Sequence, residues 1–582
     1  MADDGAPKVR YGSTLDFLRS LPGPARRFWL LVVATGLLAG LGAAGLLLAL
    51  RAVQHVAWGG GGSGHGLLDA VTGASGLRRV LVPTAAGLLV VLASAVARRP
   101  LKGHGTAGII ESIWARSGRM PLPWALFRGA VSITAVGMGA PLGREGALLS
   151  SGAATASALS TRFQIGPEQR RLLVACGASA GMAAAYNAPI GAALFGLEVL
   201  LGSFALELFG PIVIASVIAT AVARLLTGDR PAYLIPHYAV GGGEAVLVAV
   251  LLGPLLGVAS SIYVRTVSAF SDVLEKPGRF RMLASPVVAM AVVGGAALWF
   301  PQLLGNGYDS VNAALVGQLP LVLLLVLPWM KMVATAGTAG AGVPGGLFTP
   351  SLFFGSLLGG AVGHLVHQVM PNAPPEGAFA LLGMGAVLAG TTHAAVSAVL
   401  LIFELTGDYG VVLPLMVVAV LSAAVSRRIW PQSLYTDVLR RRQVALPQLQ
   451  PPSWLTRADA GRLMEPGAVT LREDASLDEV MATWLELAPG HDIHVVAPDG
   501  RYLGPILVER LRGHAPDHRR LRRTAARELV DHSIPRVRED TATSELAALF
   551  ARVGVERLPV VDAGGRLVGT VGKSELLSKG LF

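Results

Sequence analysis

The chain has 582 residues, of which 52% are hydrophobic, only 15% are charged and 72 are glycine. Soluble proteins carry about 25% charged residues, so this composition excludes an ordinary soluble enzyme of this length. The formal net charge is +11, but many arginines flank apolar runs. That placement is typical of the basic cytoplasmic flanks of a membrane protein and argues against nucleic-acid binding.

The charge is unevenly distributed, which divides the chain into a membrane part and a soluble part. Charged residues are sparse before Ser453 and frequent after it. The single cysteine, Cys176, lies in an apolar run, so no intrachain disulfide is possible. No signal peptide is evident before Phe28, and arginines flank the membrane part at both ends. We therefore expect both termini in the cytoplasm and the protein in the plasma (inner) membrane. The predicted domains are a cytoplasmic segment at 1–27, a transmembrane domain at 28–443, a linker at 444–460 and two soluble units at 461–514 and 525–582.

Long apolar runs follow one another through the transmembrane domain, and many are interrupted by glycine or proline. Met332–Pro375 is about twice the usual length of a span, which predicts two short helices separated at "AGAGVPGGLFTP". A similar break, "PLGREG" at 141–146, lies in the first half. Broken helices in both halves point to a midplane binding site and to an inverted repeat. The other runs are Phe28–Leu50, Val80–Ala97, Leu172–Leu197, Val246–Val264, Met282–Tyr308, Ser310–Met330, Gly377–Phe403 and Gly410–Ser426.

The first break carries a carboxylate, Glu145, in an otherwise apolar environment. A carboxylate at membrane depth costs about 2.5–3.5 kcal/mol on insertion scales, so it usually has a function. The following "ALLSSGAATASALS" predicts a helix that begins at or beside Glu145, and a helix N-terminus attracts anions. Glu145 could therefore occupy an anion site and leave it when protonated or displaced, which would make it a gate. The alternative is an interfacial loop residue paired with Arg144.

The second break offers a matching helix N-terminus. Its glycines predict free backbone amides at Gly345–Phe348, and Pro350 is tolerated in a first helical turn. Two such termini facing each other could hold an anion weakly, which suits conduction. The alternative is close packing of glycine-rich helices.

Five segments together resemble one family, the CLC chloride channels and proton-coupled chloride antiporters. "GREGALL" resembles its G-K/R-E-G-P motif and "GLFTP" its G-x-F-x-P motif. The segments at 183–202, 383–416 and 431–442 resemble further parts of the family. The resemblance implies a polytopic α-helical membrane protein with an inverted repeat and broken helices, which assembles as a homodimer and carries chloride or related anions across the bilayer.

Site residues follow from the resemblance position by position. Glu145 matches the gating glutamate, and Arg144 and Gly146 are its neighbours in the anion pathway. The amides of Leu347 and Phe348, with the Tyr435 hydroxyl, match the groups around the central anion. The family's G-S-G-I-P motif reads "GHGTA" at 103–107, so His104 replaces a serine that contacts the anion. His104 either alters selectivity or turns away and leaves backbone amides.

A second departure bears on proton coupling. Antiporters of the family usually carry an internal glutamate where this chain has Val199, directly after Glu198. Valine cannot carry a proton, so the resemblance favours a channel or an uncoupled transporter, with Glu198 structural or water-organising. A proton-coupled antiporter remains the alternative.

The soluble part contains a weak tandem repeat. "REDASLDEVMATW" at 472–484 recurs as "REDTATSELAALF" at 538–550, and each is followed by two predicted strands with a glycine turn. The pair resembles cystathionine-β-synthase (CBS) domains, which often bind adenine nucleotides. Gly572 and Glu575 depart from the nucleotide-binding pattern, so a structural dimerisation role is the alternative to a nucleotide contact by Glu575.

Other classes fit less well. CBS domains also occur on magnesium channels, but helix N-termini would repel a divalent cation. No His-Glu-x-x-His and no Walker A sequence occurs, which argues against an intramembrane metalloprotease and an ATP-driven pump. No enzymatic activity, metal site or firm cofactor is predicted.

Overall fold

The computed structural model describes residues 23–59, 66–101, 105–229, 233–236, 238, 243–274, 279–370, 373–444, 459–487, 491–507, 524–541, 543–553 and 555–573. His104 and Glu575 lie outside these ranges. The chain forms two compact units, Met1–Ala445 and Leu446–Phe582.

The first unit is helical throughout its described part. Seven of its described helices are long and apolar enough to cross a membrane, which agrees with the predicted polytopic class. Its helices are α1 (Gly23–Trp58), α2 (Leu67–Gly73), α3 (Gly76–Val96), α4 (Gly105–Ala115), α5 (Leu122–Gly137), α6 (Glu145–Arg162), α7 (Pro167–Tyr186), α8 (Pro189–Phe195), α9 (Leu206–Thr227), α10 (Gly243–Leu274), α11 (Arg279–Ala296), α12 (Tyr308–Leu315), α13 (Leu321–Gly340), α14 (Phe348–Val369), α15 (Glu376–Thr392), α16 (Ala395–Thr406), α17 (Val412–Ile429) and α18 (Thr436–Arg441). A π-helix, Gly196–Leu201, continues α8.

The two halves of this unit repeat the same local geometry. Helix α7 ends at Asn187 and α15 ends at His393, both in the left-handed conformation, with φ of 61° and 59°. A short helix follows each, and these helices end at Gly202 and Gly407, with φ of 62° and 64°. The breaks before α6 and α14 also correspond. The inverted repeat predicted from the two broken segments is therefore present in the fold.

Four of the apolar runs are not single helices. Met282–Tyr308 and Ser310–Met330 are divided because α11 ends at Ala296, α12 covers Tyr308–Leu315 and α13 begins at Leu321. Leu172–Leu197 is divided at Asn187, and Gly377–Phe403 is divided at His393, because each residue takes the left-handed conformation that ends a helix. Neither position carries glycine, the usual signal for this conformation, so the ends were hidden in the sequence. The Met332–Pro375 run does break where predicted, although α13 begins earlier, at Leu321.

The second unit contains two small sheets with helices. The elements are α19 (Ala460–Leu463), β1 (Glu465–Pro466), β2 (Thr470–Arg472), α20 (Leu477–Glu486), β3 (Ile493–Val496), β4 (Tyr502–Ile506), β5 (Val537–Arg538), α21 (Thr543–Val553), β6 (Arg557–Val561) and β7 (Leu567–Gly572). The sheet orders are β1-β7-β6-β5 and β2-β3-β4. Each predicted helix and its two strands are present, and each such unit is preceded by one further short strand that pairs in parallel, β2 or β5.

The repeats share strands, which the sequence pattern does not predict. Strand β1 lies before the first repeat but pairs with β7 of the second, Glu465 opposite Thr570. Each repeat nevertheless has its own apolar core, around Val480 and Val495 in the first and around Leu546 and Val560 in the second.

Candidate functional site: two helix N-termini around a buried carboxylate

Helices α6 and α14 begin beside each other, although about two hundred residues separate them in the chain. Gly143 and Gly346, just before the two helices, form an antiparallel bridge. Each donates its N–H to the carbonyl of the other, with both N···O distances at 2.8 Å. The backbone that is irregular at membrane depth is therefore satisfied by the matching break in the other half, as such backbone requires.

The Glu145 side chain fills the space between the two helix starts. It is only 2% exposed. Its Oε1 accepts hydrogen bonds from the N–H groups of Phe348 (2.9 Å) and Thr349 (3.1 Å). Its Oε2 accepts a hydrogen bond of 2.7 Å from the Thr349 hydroxyl. The carboxylate thus occupies the N-terminus of α14, where backbone dipoles favour a negative charge.

Two glycines make room for this carboxylate. A Cβ atom built at Gly143 would overlap Oε2 of Glu145, and one at Gly346 would overlap Oε1. Gly146 has a different role: a Cβ there would lie 3.1 Å from the nitrogen of Gly346, so its absence permits the close approach of the two chain segments. These glycines are therefore needed for close contact at the site and not for a left-handed turn, because none of the three has a positive φ.

Arg144 does not pair with Glu145. Its Nη2 donates to the carbonyl of Ala185 at 3.0 Å, and its guanidinium lies 5.0 Å from the ring centroid of Tyr308. Arg144 lines a cavity of about 740 Å³ together with Arg51 and His55. The alternative of an interfacial loop pair is therefore wrong, because Glu145 is buried and bonded to α14.

Aromatic side chains surround the start of α14. The Phe348 ring centroid lies 5.3 Å from that of Tyr186 and 6.0 Å from that of Phe195. Tyr435 is buried at the start of α18, with its ring edge-on to Phe195 at 6.1 Å and Thr106 beside its hydroxyl. Phe195 thus connects Tyr435 to Phe348, and Leu347 is the buried residue just before α14.

Thr349 and Tyr186 were missed by the sequence reasoning. The Thr349 hydroxyl donates to Glu145 and also lies 2.8 Å from the hydroxyl of Tyr186. Thr349 stands inside the quoted "GLFTP", so a count of the hydroxyl groups next to the predicted amides could have found it. Tyr186 carried no such signal, because it reaches the site from the far end of α7.

Glu198 and Val199 lie on the π-helix that follows α8. The Glu198 carboxylate accepts hydrogen bonds from the N–H groups of Val396 (3.3 Å) and Ser397 (2.7 Å) and from the Ser397 hydroxyl (2.5 Å). All of these donors lie in the first turn of α16. Val199 is buried. The carboxylate is therefore held as a helix cap, and its neighbour offers only an apolar surface.

No cluster of three or more histidine, cysteine, aspartate or glutamate side chains able to hold a metal ion occurs among the described residues. The donors at the site are N–H and O–H groups, which complement an anion and would repel a cation.

Comparisons with known proteins agree with this geometry. A family model described as voltage gated chloride channel matches residues 85–427, and a CBS domain model matches residues 526–581. A ClcB-like chloride channel protein of Ralstonia nicotianae is 32% identical over 428 residues, covering 73% of this chain and 100% of that protein. The voltage-gated ClC-type chloride channel ClcB of Escherichia coli (strain HS) is 31% identical over 381 residues, covering 63% of this chain and 88% of that protein.

Two solved structures share the fold. A slow cyanobacterial Cl⁻/H⁺ antiporter has a TM-score of 0.64 and 23% identity, and the match covers 72% of this chain and 98% of that one. A eukaryotic CLC transporter has a TM-score of 0.60 and 20% identity, and the match covers 94% of this chain and 98% of that one. The family model spans more than half of the chain, and helix N-termini meet at a buried glutamate where the family motifs stand. This integral membrane chain therefore belongs to the CLC family of voltage-gated chloride channels and carries CBS-domain sequence in its C-terminal unit.

Proposed function

We propose that this protein conducts chloride passively through a CLC-type pathway and that Glu145 is the gate. The observation that carries the proposal is the set of bonds made by the Glu145 carboxylate. The carboxylate accepts hydrogen bonds from the amides of Phe348 and Thr349 and from the Thr349 hydroxyl. These are the donors that a chloride ion would need. While Glu145 is docked, these donors are satisfied and the pathway is blocked.

Opening then requires the side chain to leave. Protonation removes the negative charge that the N-terminus of α14 attracts, and a chloride ion can displace the carboxylate by competing for the same donors. Because chloride meets partial charges and a hydroxyl at this position, it binds weakly enough to move on. Membrane potential biases the step by about 2.3 kcal/mol per elementary charge per 100 mV.

The absence of proton coupling is part of the proposal. An internal proton carrier needs a carboxylate that is free to exchange its proton with the pathway. Glu198 instead has its carboxylate bonded to the first turn of α16, and Val199 has no ionisable group. These observations favour a channel-like or uncoupled pathway over a proton-coupled antiporter.

The positions of Arg144 and Tyr435 relative to Glu145 suggest their roles in the proposed pathway. Arg144 lies in the cavity outside the gate and attracts anions toward it. The Tyr435 hydroxyl and the backbone of Leu347 and Gly146 complete the proposed anion path, and the Phe195 ring contacts both Phe348 and Tyr435. A homodimer with both termini in the cytoplasm completes the proposal.

The test is reconstitution into chloride-loaded liposomes, with chloride efflux and external pH recorded together. We expect chloride efflux without coupled proton movement. Proton uptake driven against its gradient by chloride efflux would identify an antiporter. Absence of any anion flux from correctly folded protein would contradict the proposed pathway itself.

A further inference from the structure

A second cavity, of about 220 Å³, reaches the backbone next to Glu145. It is lined by Gly146 at the start of α6 and by Gly345 just before α14, and it extends along α4 and α5 to arginines at their ends. A water molecule in the liquid takes about 30 Å³, so an anion with several waters fits in this space. The cavity is separate from the one that contains Arg144.

The charge of its lining is strongly positive. Five arginines contribute to it, and Glu111 is its single acidic residue. That carboxylate is already neutralised, because Arg116 pairs with it at 2.5 Å and Arg442 at 3.1 Å. The five arginines are Arg99, Arg116, Arg119, Arg128 and Arg442.

Arg128 is the one arginine of these five that is not exposed. It is half-buried on α5, and it makes no hydrogen bond or ion pair with any residue that the structure describes. The positive charge of Arg442 acts on the Arg128 guanidinium and repels it, because both groups are cations. A half-buried guanidinium without a carboxylate is costly unless an anion or water completes its hydrogen bonds.

Ser132 supplies an independent indication of a ligand. It lies one turn after Arg128 on the same face of α5, is only 3% exposed and lines the cavity. Its hydroxyl has no hydrogen-bond partner in the described part of the chain. Serine in a helix usually donates to the carbonyl four residues earlier, as Ser94 does to Val90 at 2.8 Å. Ser132 does not, so its donor is free for a molecule in the cavity.

We propose that this cavity binds a small inorganic anion between Arg128 and Ser132. It forms an anion reservoir beside the first turn of α6, separate from the position that Glu145 occupies at α14. The exposed arginines of the cavity raise the local anion concentration, and Gly146 in the cavity wall places the ion beside the proposed conduction path. The inference rests on the proposed function only for the identity of the ion, chloride.

The test is crystallography of the full-length protein in bromide, whose anomalous scattering locates the ion. We expect bromide within hydrogen-bond distance of the Ser132 hydroxyl and the Arg128 guanidinium. Ser132→Ala should weaken that signal and Arg128→Met should abolish it, while Ser94→Ala, which changes a serine away from the cavity, leaves it unchanged. Bromide elsewhere in the protein but absent from this cavity would overturn the inference.

Other outcomes are equally decisive. Bromide that persists in both Ser132→Ala and Arg128→Met would show an adventitious ion only, held by the exposed arginines, and would also overturn the inference. If Arg128→Met does not fold, the milder Ser132→Ala still decides the question. Failure of the proposed function is distinguishable, because it would appear as absent liposome flux whether or not bromide binds here.

Discussion

Glu198 and Glu404 each cap the helix that carries the other. Glu198 accepts hydrogen bonds from the N–H groups at the start of α16, on which Glu404 lies. Glu404 accepts hydrogen bonds from the N–H groups of Ile190 (3.1 Å) and Gly191 (2.8 Å) at the start of α8, which continues into the segment of Glu198. Each glutamate lies eleven residues after the left-handed residue that ends the preceding helix, Asn187 or His393. The reciprocal capping is a product of the inverted repeat.

The first prediction concerns this pair. Glu198→Ala leaves helical N–H groups without an acceptor, so we expect the free energy of unfolding to fall by about 1–3 kcal/mol. Thermal unfolding in detergent measures the loss. Glu168→Ala is the control, because Glu168 is exposed and pairs with the neighbouring Arg171, and its effect should stay within about 0.5 kcal/mol. Unchanged stability in Glu198→Ala, with altered ion coupling, would instead indicate a transport role for Glu198.

Removal of the gate charge gives the second prediction. Glu145→Gln retains the volume of the side chain but loses the charge that binds it to α14, so we expect chloride flux that no longer depends on pH. Liposome efflux measured between pH 4 and pH 8 tests this. The wild-type protein should be activated by acid, and Glu168→Gln should follow the wild type. A folded Glu145→Gln protein without flux would contradict the gating role.

The third prediction concerns a substitution that displaces the Glu145 side chain without changing its charge. A Cβ atom at Gly346 overlaps the docked carboxylate, so Gly346→Ala should exclude Glu145 from α14 and increase flux at neutral pH. Gly166→Ala is the matched control, because a Cβ at Gly166 meets no atom within 4 Å. Flux and its pH dependence in Gly346→Ala should resemble those of Glu145→Gln. Normal pH gating in the Gly346→Ala protein would show that the docked position is not the closed state.

The hydroxyl of Thr349 provides the fourth prediction. Thr349→Val keeps the shape of the side chain and the backbone amide but removes the 2.7 Å bond to Glu145. The docked state loses one charge-assisted hydrogen bond, worth about 1.5–3 kcal/mol, so basal flux at neutral pH should rise. Thr134→Val, on a hydroxyl that donates to Ala130 at 2.9 Å away from the site, is the control. Equal basal flux in both variants would exclude Thr349 from the gate.

The fifth prediction concerns pH and the C-terminal unit. His494 on β3 is buried, and its Nδ1 lies 3.1 Å from the Tyr502 hydroxyl. Burial, together with the positive charge of Arg557, lowers the pKa of His494 to about 4. An unfolded histidine has a pKa of about 6.5, so between these values only the unfolded chain binds the proton. Stability of this unit should therefore fall as the pH drops from about 6.5 to about 4, by at most roughly 3 kcal/mol.

Hydrogen exchange of the β3 and β4 peptides in the full-length protein measures this loss. We expect His494→Asn to flatten the pH dependence. His532→Asn serves as the control, because His532 is exposed. The same acid sensitivity in His494→Asn as in the wild type would assign the effect to another group.

The sequence predicted the parts of the site that lie within one continuous segment. The start of α6 at Glu145 and the break before α14 follow from glycine, proline and the apolar pattern around them. The Gly143–Gly346 bridge does not, because the pairing of two distant backbone segments depends on the packing of the whole domain. The contacts of Thr349 with Glu145 and of Tyr186 with Thr349 were not predicted for the same reason.

The sequence also did not predict the helix ends that lack a glycine. Asn187 and His393 take the left-handed conformation in the middle of apolar runs, where composition favours continuous helix. The sequence also did not predict that the Ser132 hydroxyl has no hydrogen-bond partner among the described residues. That depends on how the cavity wall is packed, which the residue type alone does not determine. In the C-terminal unit, the sequence predicted the two repeats. It did not predict that β1, which precedes the first repeat, pairs with β7 in the sheet of the second repeat.

The Gly143–Gly346 bridge has a mechanical consequence. Its two backbone hydrogen bonds join the two halves of the repeat directly beside the Glu145 carboxylate. Each backbone group released there, away from water, would cost several kcal/mol. Under the proposed function, we therefore expect the backbone on both sides of Glu145 to stay joined during gating and the Glu145 side chain to be the part that moves.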